Sequence, residues 1–103
     1  MKILICDDEQ MILKIMRDVL EFKGHKALTC ENVPDALSML EGVDMVMTKT
    51  SLPGIGGEVL VEECKKRGIR VIIMGGIDLQ IGEKLGVEFV NKPIPVKWFE
   101  ENI

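Results

Sequence analysis

The sequence predicts an α/β domain in which a doubly wound, five-stranded parallel sheet carries helices on both faces. Five short apolar runs follow one another along the chain without polar alternation, which is typical of strands covered on both faces. Segments of helical periodicity lie between these runs. Because crossovers between parallel strands are right-handed, such segments can cover both faces of the sheet. We therefore expect a three-layer sandwich in a single domain spanning residues 1–103.

The strand predictions rest on apolar runs bounded by glycine or polar residues. Arg70–Met74 is the clearest strand because it is rich in β-branched residues and lies between glycines. Lys26–Thr29 is the weakest because it is short and less apolar. The five predicted strands are Lys2–Cys6, Lys26–Thr29, Met45–Met47, Arg70–Met74 and Val87–Val90.

The helix predictions combine apolar spacing with residues that favour helix ends. Asn32 is expected to cap the second helix and Gly24 to end the first. The predicted helices are Gln10–Lys23, Val33–Leu40, Glu58–Arg67 and a last helix from Pro95. In the first of them, the apolar residues at helical spacing are Ile12, Ile15, Met16, Val19, Leu20 and Phe22.

The segment between the fourth and fifth strands is too short for a full crossover helix. Ile77–Leu85 has room for about two turns, and its interior Gly82 costs roughly 1 kcal/mol against alanine. We expect the fourth helix to be shortened or missing.

Composition excludes several function classes. Seventeen acidic residues against thirteen basic ones give a net charge of -4, which opposes a general nucleic-acid surface. The longest apolar runs are far shorter than the roughly 20 residues a membrane span requires, so we expect no membrane association. The odd number of widely spaced cysteines suggests neither a disulfide framework nor a zinc site, and a reduced cytoplasm is the expected location.

Charged residues follow two of the predicted strands. Asp7 and Asp8 come after the first strand, and Lys49 comes shortly after the third. Ligands of open α/β sheets collect outside the carboxyl ends of the strands, so these side chains are candidates for a site. Two simpler interpretations remain open: one acid caps the first helix, or Lys49 points into solvent.

Three motifs at strand ends resemble the receiver domain of two-component response regulators. They are Asp7-Asp8, then Leu52-Pro53-Gly54-x-x-Gly57, and then Lys92-Pro93. The resemblance implies a flavodoxin-like fold with strand order 2-1-3-4-5. It also implies a site in which two acids and an aspartate after the third strand hold Mg²⁺, while that aspartate accepts a phosphoryl group from a histidine kinase.

The resemblance assigns roles to individual residues. Asp7 and Asp8 match the acid pair, Lys92 matches the lysine that contacts the phosphoryl oxygen, and Phe89 matches the switch aromatic. The Lys92-Pro93 peptide bond is expected to be cis. Two positions depart from the family pattern: Lys49 stands where the phospho-accepting aspartate belongs, and Gly75 stands where a serine or threonine contacts the phosphoryl group.

These departures change the expected function. A lysine cannot form an acyl phosphate, and its charge opposes a metal ion. We therefore expect a stand-alone, atypical receiver (a pseudo-receiver) that is not an enzyme and holds no Mg²⁺ or other cofactor. Its partner would be a protein, either a histidine kinase or another signalling protein.

Two alternative functions remain open. The first is a working receiver that uses one of the nearby hydroxyls, Thr48, Thr50 or Ser51, as its acceptor. The second is an enzyme of another doubly wound family. This alternative is disfavoured because the sequence lacks a nucleophile paired with a base and lacks a glycine-rich first loop.

Overall fold

Five parallel strands form one sheet with helices on both faces. The structure is a computed structural model that describes residues 1–75 and 85–103. Strands β1 to β5 span Lys2–Cys6, Lys26–Cys30, Met45–Thr48, Arg70–Gly75 and Glu88–Asn91. Helices α1 to α4 span Gln10–Phe22, Val33–Ser38, Gly57–Arg67 and Val96–Asn102.

The strand order is β2-β1-β3-β4-β5, and every neighbouring pair is parallel. This order confirms the predicted doubly wound fold. The chain reverses its direction across the sheet between β1 and β3, and this switch point is where open α/β sheets form a crevice. Residues that follow β1 and β3 are therefore neighbours at one edge.

Two apolar clusters cover the two faces of the sheet. Leu4 and Cys6 of β1 belong to the cluster that includes buried residues of α2 and α3. Ile3 and Ile5 face the other way and belong to the cluster that includes α1 and Phe99 of α4. This alternation is the pleat of a strand buried on both sides, and it explains why the strands show no polar alternation in the sequence.

The buried face of α1 differs from the predicted one. Leu13, Met16 and Leu20 are buried, whereas Ile15 and Phe22 are 55% and 93% exposed. Successive residues of a helix are about 100° apart, so Leu13, Met16 and Leu20, spaced three and four apart, share one face. Ile15 and Phe22 lie away from that face, so only part of the apolar pattern that predicted the helix is buried.

Most element ends lie within two residues of their predicted positions. Helix α2 ends at Ser38 rather than Leu40, although Leu40 is buried in the first cluster. The fifth strand begins one residue later than predicted and includes Asn91. The Lys92-Pro93 bond is cis, as the resemblance implies.

The prediction of a shortened or missing helix between β4 and β5 concerns residues 76–84 and lies outside the described residues. Within residues 1–75 and 85–103, every helix is too short or too polar to cross a membrane.

Candidate functional site

The carboxyl edge of the sheet brings five charged side chains together: Asp7, Asp8, Glu9, Lys49 and Lys92. Cys6 and Thr48 are register partners at the ends of β1 and β3, and the Lys49 N–H donates to the Cys6 carbonyl at 3.1 Å. On the far side, the Lys92 N–H donates to the Gly75 carbonyl at 3.0 Å. These backbone hydrogen bonds thus place both lysines beside the three acids.

Asp7 is fully buried, and both of its carboxylate oxygens are occupied. The Lys92 ammonium donates to Oδ2, and the Glu9 backbone N–H donates to Oδ1 at 2.9 Å. Burying a carboxylate is costly unless it is paired and hydrogen-bonded, and these two donors meet that requirement. Asp7 and Lys92 therefore form the inner ion pair of the site.

Lys49 forms the outer ion pair with Asp8. Its Nζ lies 2.8 Å from Asp8 Oδ1 and 3.8 Å from Glu9 Oε1, and the Lys49 and Asp8 side chains are 23% and 36% exposed. Lys49 therefore does not simply point into solvent, since the structure pairs it with the acids. The hydrogen bond from Lys49 lowers the pKa of Asp8, and the same contact raises the pKa of Lys49.

These two pKa shifts define the pH range in which the Lys49–Asp8 pair contributes to the stability of the fold. Because the pKa of Asp8 is lowered by folding, its contribution to stability is present above the unfolded-state pKa and fades as the pH falls through the lowered value. The pKa of Lys49 is raised, so its contribution is present below the unfolded-state pKa and is lost as the pH rises through the raised value. The pair is therefore intact at neutral pH.

Replacing Lys49 by methionine should raise the pKa of Asp8 toward its ordinary value, because the hydrogen-bond donor and the positive charge are both removed. An NMR pH titration of the Asp8 side-chain carboxyl carbon measures this change. Lys97→Met, which removes an exposed lysine on α4, is the matched control and should leave the Asp8 titration unchanged. A titration of Asp8 that is identical in wild type and Lys49→Met would contradict the assigned pair.

The loop after β3 is held against α3 by a close backbone approach. The Gly57 N–H donates to the Thr50 carbonyl at 2.9 Å, and a Cβ at Gly57 would lie only 1.9 Å from the Lys49 carbonyl oxygen. Thr48 is fully buried and its hydroxyl donates to the same Lys49 carbonyl at 2.8 Å. The backbone of Lys49 is thus fixed from both sides.

Gly75 is the last residue of β4, and Phe89 lies on the neighbouring strand β5. Gly75 pairs with Asn91, and a Cβ built on Gly75 meets no heavy atom within 4 Å, so a larger side chain has space there. Phe89 pairs with Ile73 and is 39% exposed. Neither residue contributes a hydroxyl group or a charge to the site.

Glu9 is the site residue that sequence reasoning missed. It lies within 4.0 Å of both lysine ammonium groups, at 3.8 Å from Lys49 and 4.0 Å from Lys92. The signal was the third acid in the run Asp7-Asp8-Glu9. Glu9 is also the N-cap residue of α1, although its side chain makes no capping hydrogen bond, so neither aspartate caps that helix.

The arrangement is a set of ion pairs rather than a set of free metal ligands. Across the part of the chain that the structure describes, His, Cys, Asp and Glu side chains form no group of three or more that could hold a metal ion. At the end of β3, where a third carboxylate would complete such a group, the residue is Lys49.

A five-stranded parallel sheet in this order, with helices on both faces, is the flavodoxin-like fold. The chain belongs to the response regulator receiver domain family, whose model matches residues 3–97. It is therefore a receiver domain of signal transduction.

Individual relatives support this assignment. The crystal structure of a response regulator receiver domain protein from Clostridium thermocellum is 30% identical, has a TM-score of 0.86, and is matched over 97% of this chain and 88% of that chain. The nisin biosynthesis regulatory protein NisR of Lactococcus lactis is 27% identical over 93% of this chain and 45% of its own length. The uncharacterized transcriptional regulatory protein YbdJ of Bacillus subtilis is 26% identical over 89% of this chain and 44% of its own length. The chain spans less than half the length of both curated relatives.

Proposed function

We propose that this receiver domain signals without being phosphorylated, as a protein-interaction module in the cytoplasm. The observation that carries the proposal is the Lys49–Asp8 ion pair of 2.8 Å at the carboxyl end of β3. The family resemblance assigns this position to the aspartate that accepts the phosphoryl group. An ammonium group cannot form an acyl phosphate, so the usual acceptor chemistry is lost.

The nearby hydroxyls are poor substitutes for the missing acceptor. Thr48 is fully buried and its hydroxyl donates to the Lys49 carbonyl, so it is not presented to a phosphoryl donor. Thr50 and Ser51 lie beyond Lys49 in the loop, and the sequence from Met45 to Ile55 contains no acid. Family membership also argues against an enzyme of another doubly wound family.

The donor set does not fit the Mg²⁺ ion that the family implies. Asp7 is paired with Lys92 and Asp8 with Lys49, so a cation would have to displace both ammonium groups. A millimolar metal site supplies only about 4 kcal/mol of binding free energy. A fixed positive charge beside a divalent ion opposes binding even when solvent screens the repulsion.

Mg²⁺ should therefore leave the site unchanged at physiological concentration. We expect the amide resonances of Asp7 and Asp8 to show no saturable shift when Mg²⁺ is titrated to low-millimolar levels. In Lys49→Asp, where the local charge changes by two units and a third carboxylate is present, saturable shifts should emerge. Saturable, site-specific shifts in the wild-type protein would show that the two lysines do not block the metal.

The interaction surface is proposed to include Phe89. It is the residue at the switch-aromatic position, and 39% of it is exposed. Trp98 is not counted as part of this surface, because it packs against the apolar cluster that includes α1 and Phe99, in edge-to-face contact with Phe99. Trp98 thus supports the fold, and substitutions there would lower stability before they informed on binding.

A comparative pull-down tests the proposed interaction. A protein from the source cells should be retained by the wild-type domain, retained equally with or without acetyl phosphate and Mg²⁺, and lost with Phe89→Asp. Val59→Asp is the matched control, because Val59 is a similarly exposed apolar residue (48%) on α3. Retention that rises with acetyl phosphate would contradict phosphorylation independence, and equal retention by Phe89→Asp would remove Phe89 from the surface.

A further inference from the structure

Two cysteines end neighbouring strands in direct register. Cys6 is the last residue of β1, Cys30 is the last residue of β2, and the two are paired in the parallel ladder. Both side chains belong to the same apolar cluster and therefore lie on the same face of the sheet. Cys6 is fully buried and Cys30 is 6% exposed.

The spacing of such a pair suits a covalent link. Neighbouring strands lie about 4.8 Å apart, and disulfides join residues whose Cα atoms are roughly 4.4–6.8 Å apart. The Cys30 thiol donates to the Ile5 carbonyl oxygen at 3.7 Å, and Ile5 directly precedes Cys6 in the chain. Both sulfurs are thus held at the same point of the β1–β2 edge.

Cys30 borders the protein surface, with 6% of the residue exposed. It lines a surface cavity of about 480 Å³ whose walls come from α1, α2 and the end of β2. The cavity also contains Gln10 and Glu31, whose side chains hydrogen-bond at 3.2 Å. A small oxidant that enters this cavity meets the Cys30 side before it meets Cys6.

We propose that Cys6 and Cys30 are a redox modification site that closes to a reversible disulfide when the oxidant is a peroxide. One sulfur of the pair takes one peroxide oxygen as a sulfenic acid while the O–O bond breaks, and the other oxygen leaves as water. The second sulfur of the pair then displaces the sulfenic oxygen, which leaves as a second water. The two thiols lose two electrons and two protons in total.

The third cysteine is an internal control for this chemistry. Cys64 lies on α3 in the same apolar cluster and is fully buried. It has no register partner on a neighbouring strand because it lies in a helix. Peroxide should therefore leave Cys64 reduced while the β1–β2 pair is oxidised.

Formation of the Cys6–Cys30 disulfide would shift residues of the charged site. The Asp7 N–H donates to the Cys30 carbonyl at 3.1 Å, and Cys6 directly precedes Asp7. Side chains of a regular ladder stand somewhat farther apart than the Cβ atoms of a relaxed disulfide, so closing the bond draws the two strand ends together. Such a strained disulfide is readily reduced, and its formation would shift Asp7 and its partner Lys92.

The test is exposure of the folded protein to hydrogen peroxide, followed by intact mass and peptide mapping. We expect the protein to lose the mass of two hydrogen atoms, to give a cross-linked peptide joining Cys6 to Cys30, and to return to its original mass with dithiothreitol. Cys64→Ala should behave like wild type, and Cys30→Ala should show no such loss. The amide resonances of Asp7 and Lys92 should move on oxidation and return on reduction.

Three results would overturn the proposal. One is a gain of oxygen atoms on wild type without a loss of hydrogen, another is a cross-link that involves Cys64, and the third is a wild-type protein that stays reduced. If Cys30→Ala proves unstable, peptide mapping of wild type and Cys64→Ala decides between these outcomes without it.

Discussion

Replacing Lys92 by methionine should destabilise the protein by about 3 kcal/mol, because the change leaves a buried carboxylate without its cationic partner. Asp7 is fully buried, and the Lys92 side chain that pairs with it is 17% exposed. Among residues 1–75 and 85–103, the Glu9 N–H is the donor that would remain on the Asp7 carboxylate. Denaturant unfolding of wild type and Lys92→Met measures the difference in free energy.

A double-mutant cycle separates the ion pair from other effects of the substitution. In an Asp7→Asn background the buried charge is absent, so Lys92→Met should cost about 2 kcal/mol less than it does in wild type. Lys97→Met is the matched control, because that lysine is 80% exposed and its loss should change stability by no more than about 0.5 kcal/mol. Equal costs of Lys92→Met in both backgrounds would contradict the buried pair.

Gly57→Ala should be the most damaging small substitution, lowering stability by about 3 kcal/mol. The added Cβ would lie 1.9 Å from the Lys49 carbonyl oxygen and 2.8 Å from the Thr50 Cα. Both are backbone atoms, so no side-chain rotation relieves the clash, and the loop after β3 must move away from α3. The same movement would pull Lys49 away from Asp8.

Gly75→Ala is the matched control for that substitution. Gly75 does not have a positive φ, and an added Cβ meets no heavy atom within 4 Å. Thermal unfolding should show a midpoint about 15 °C lower for Gly57→Ala and little change for Gly75→Ala. Similar midpoints for both variants would show that the loop after β3 can move away from α3 without a loss of stability.

The fold was predictable because its signals are local. Continuous apolar runs such as Arg70–Met74 predict doubly covered strands, and the charge order of Glu58–Arg67 predicts a helix with the correct polarity. The face of α1 was less predictable. Ile15 and Phe22 are apolar but exposed, and only the packing of the helix on the sheet selects Leu13 as a core residue instead.

Four of the five charged residues of the site were predictable, but their pairings were not. Strand ends indicate that Asp7, Asp8, Lys49 and Lys92 share one edge of the sheet. Which lysine binds which acid depends on how far each side chain reaches, and the sequence does not indicate this. Glu9 was missed because a charge at a helix start is ordinarily explained by the helix dipole.

Gly75, which stands where the family resemblance expects a serine or threonine, affects any attempt to restore the family's chemistry. Gly75 leaves room for a serine or threonine side chain. Lys49→Asp alone should therefore recover metal binding and acceptor chemistry before it recovers a full conformational response, because the hydroxyl that contacts the phosphoryl group is still absent. Lys49→Asp combined with Gly75→Thr is the variant expected to respond further, as judged by shifts at Phe89.

The most direct test of phosphorylation independence is the intact mass after incubation with acetyl phosphate and Mg²⁺. Wild-type protein should keep its mass, because Lys49 occupies the acceptor position and pairs with Asp8. Lys49→Asp, treated in parallel, should gain the mass of one phosphoryl group and so show that the conditions support transfer. A phosphoryl group gained by the wild-type chain, mapped to Thr48, Thr50 or Ser51, would contradict the account and establish the alternative acceptor.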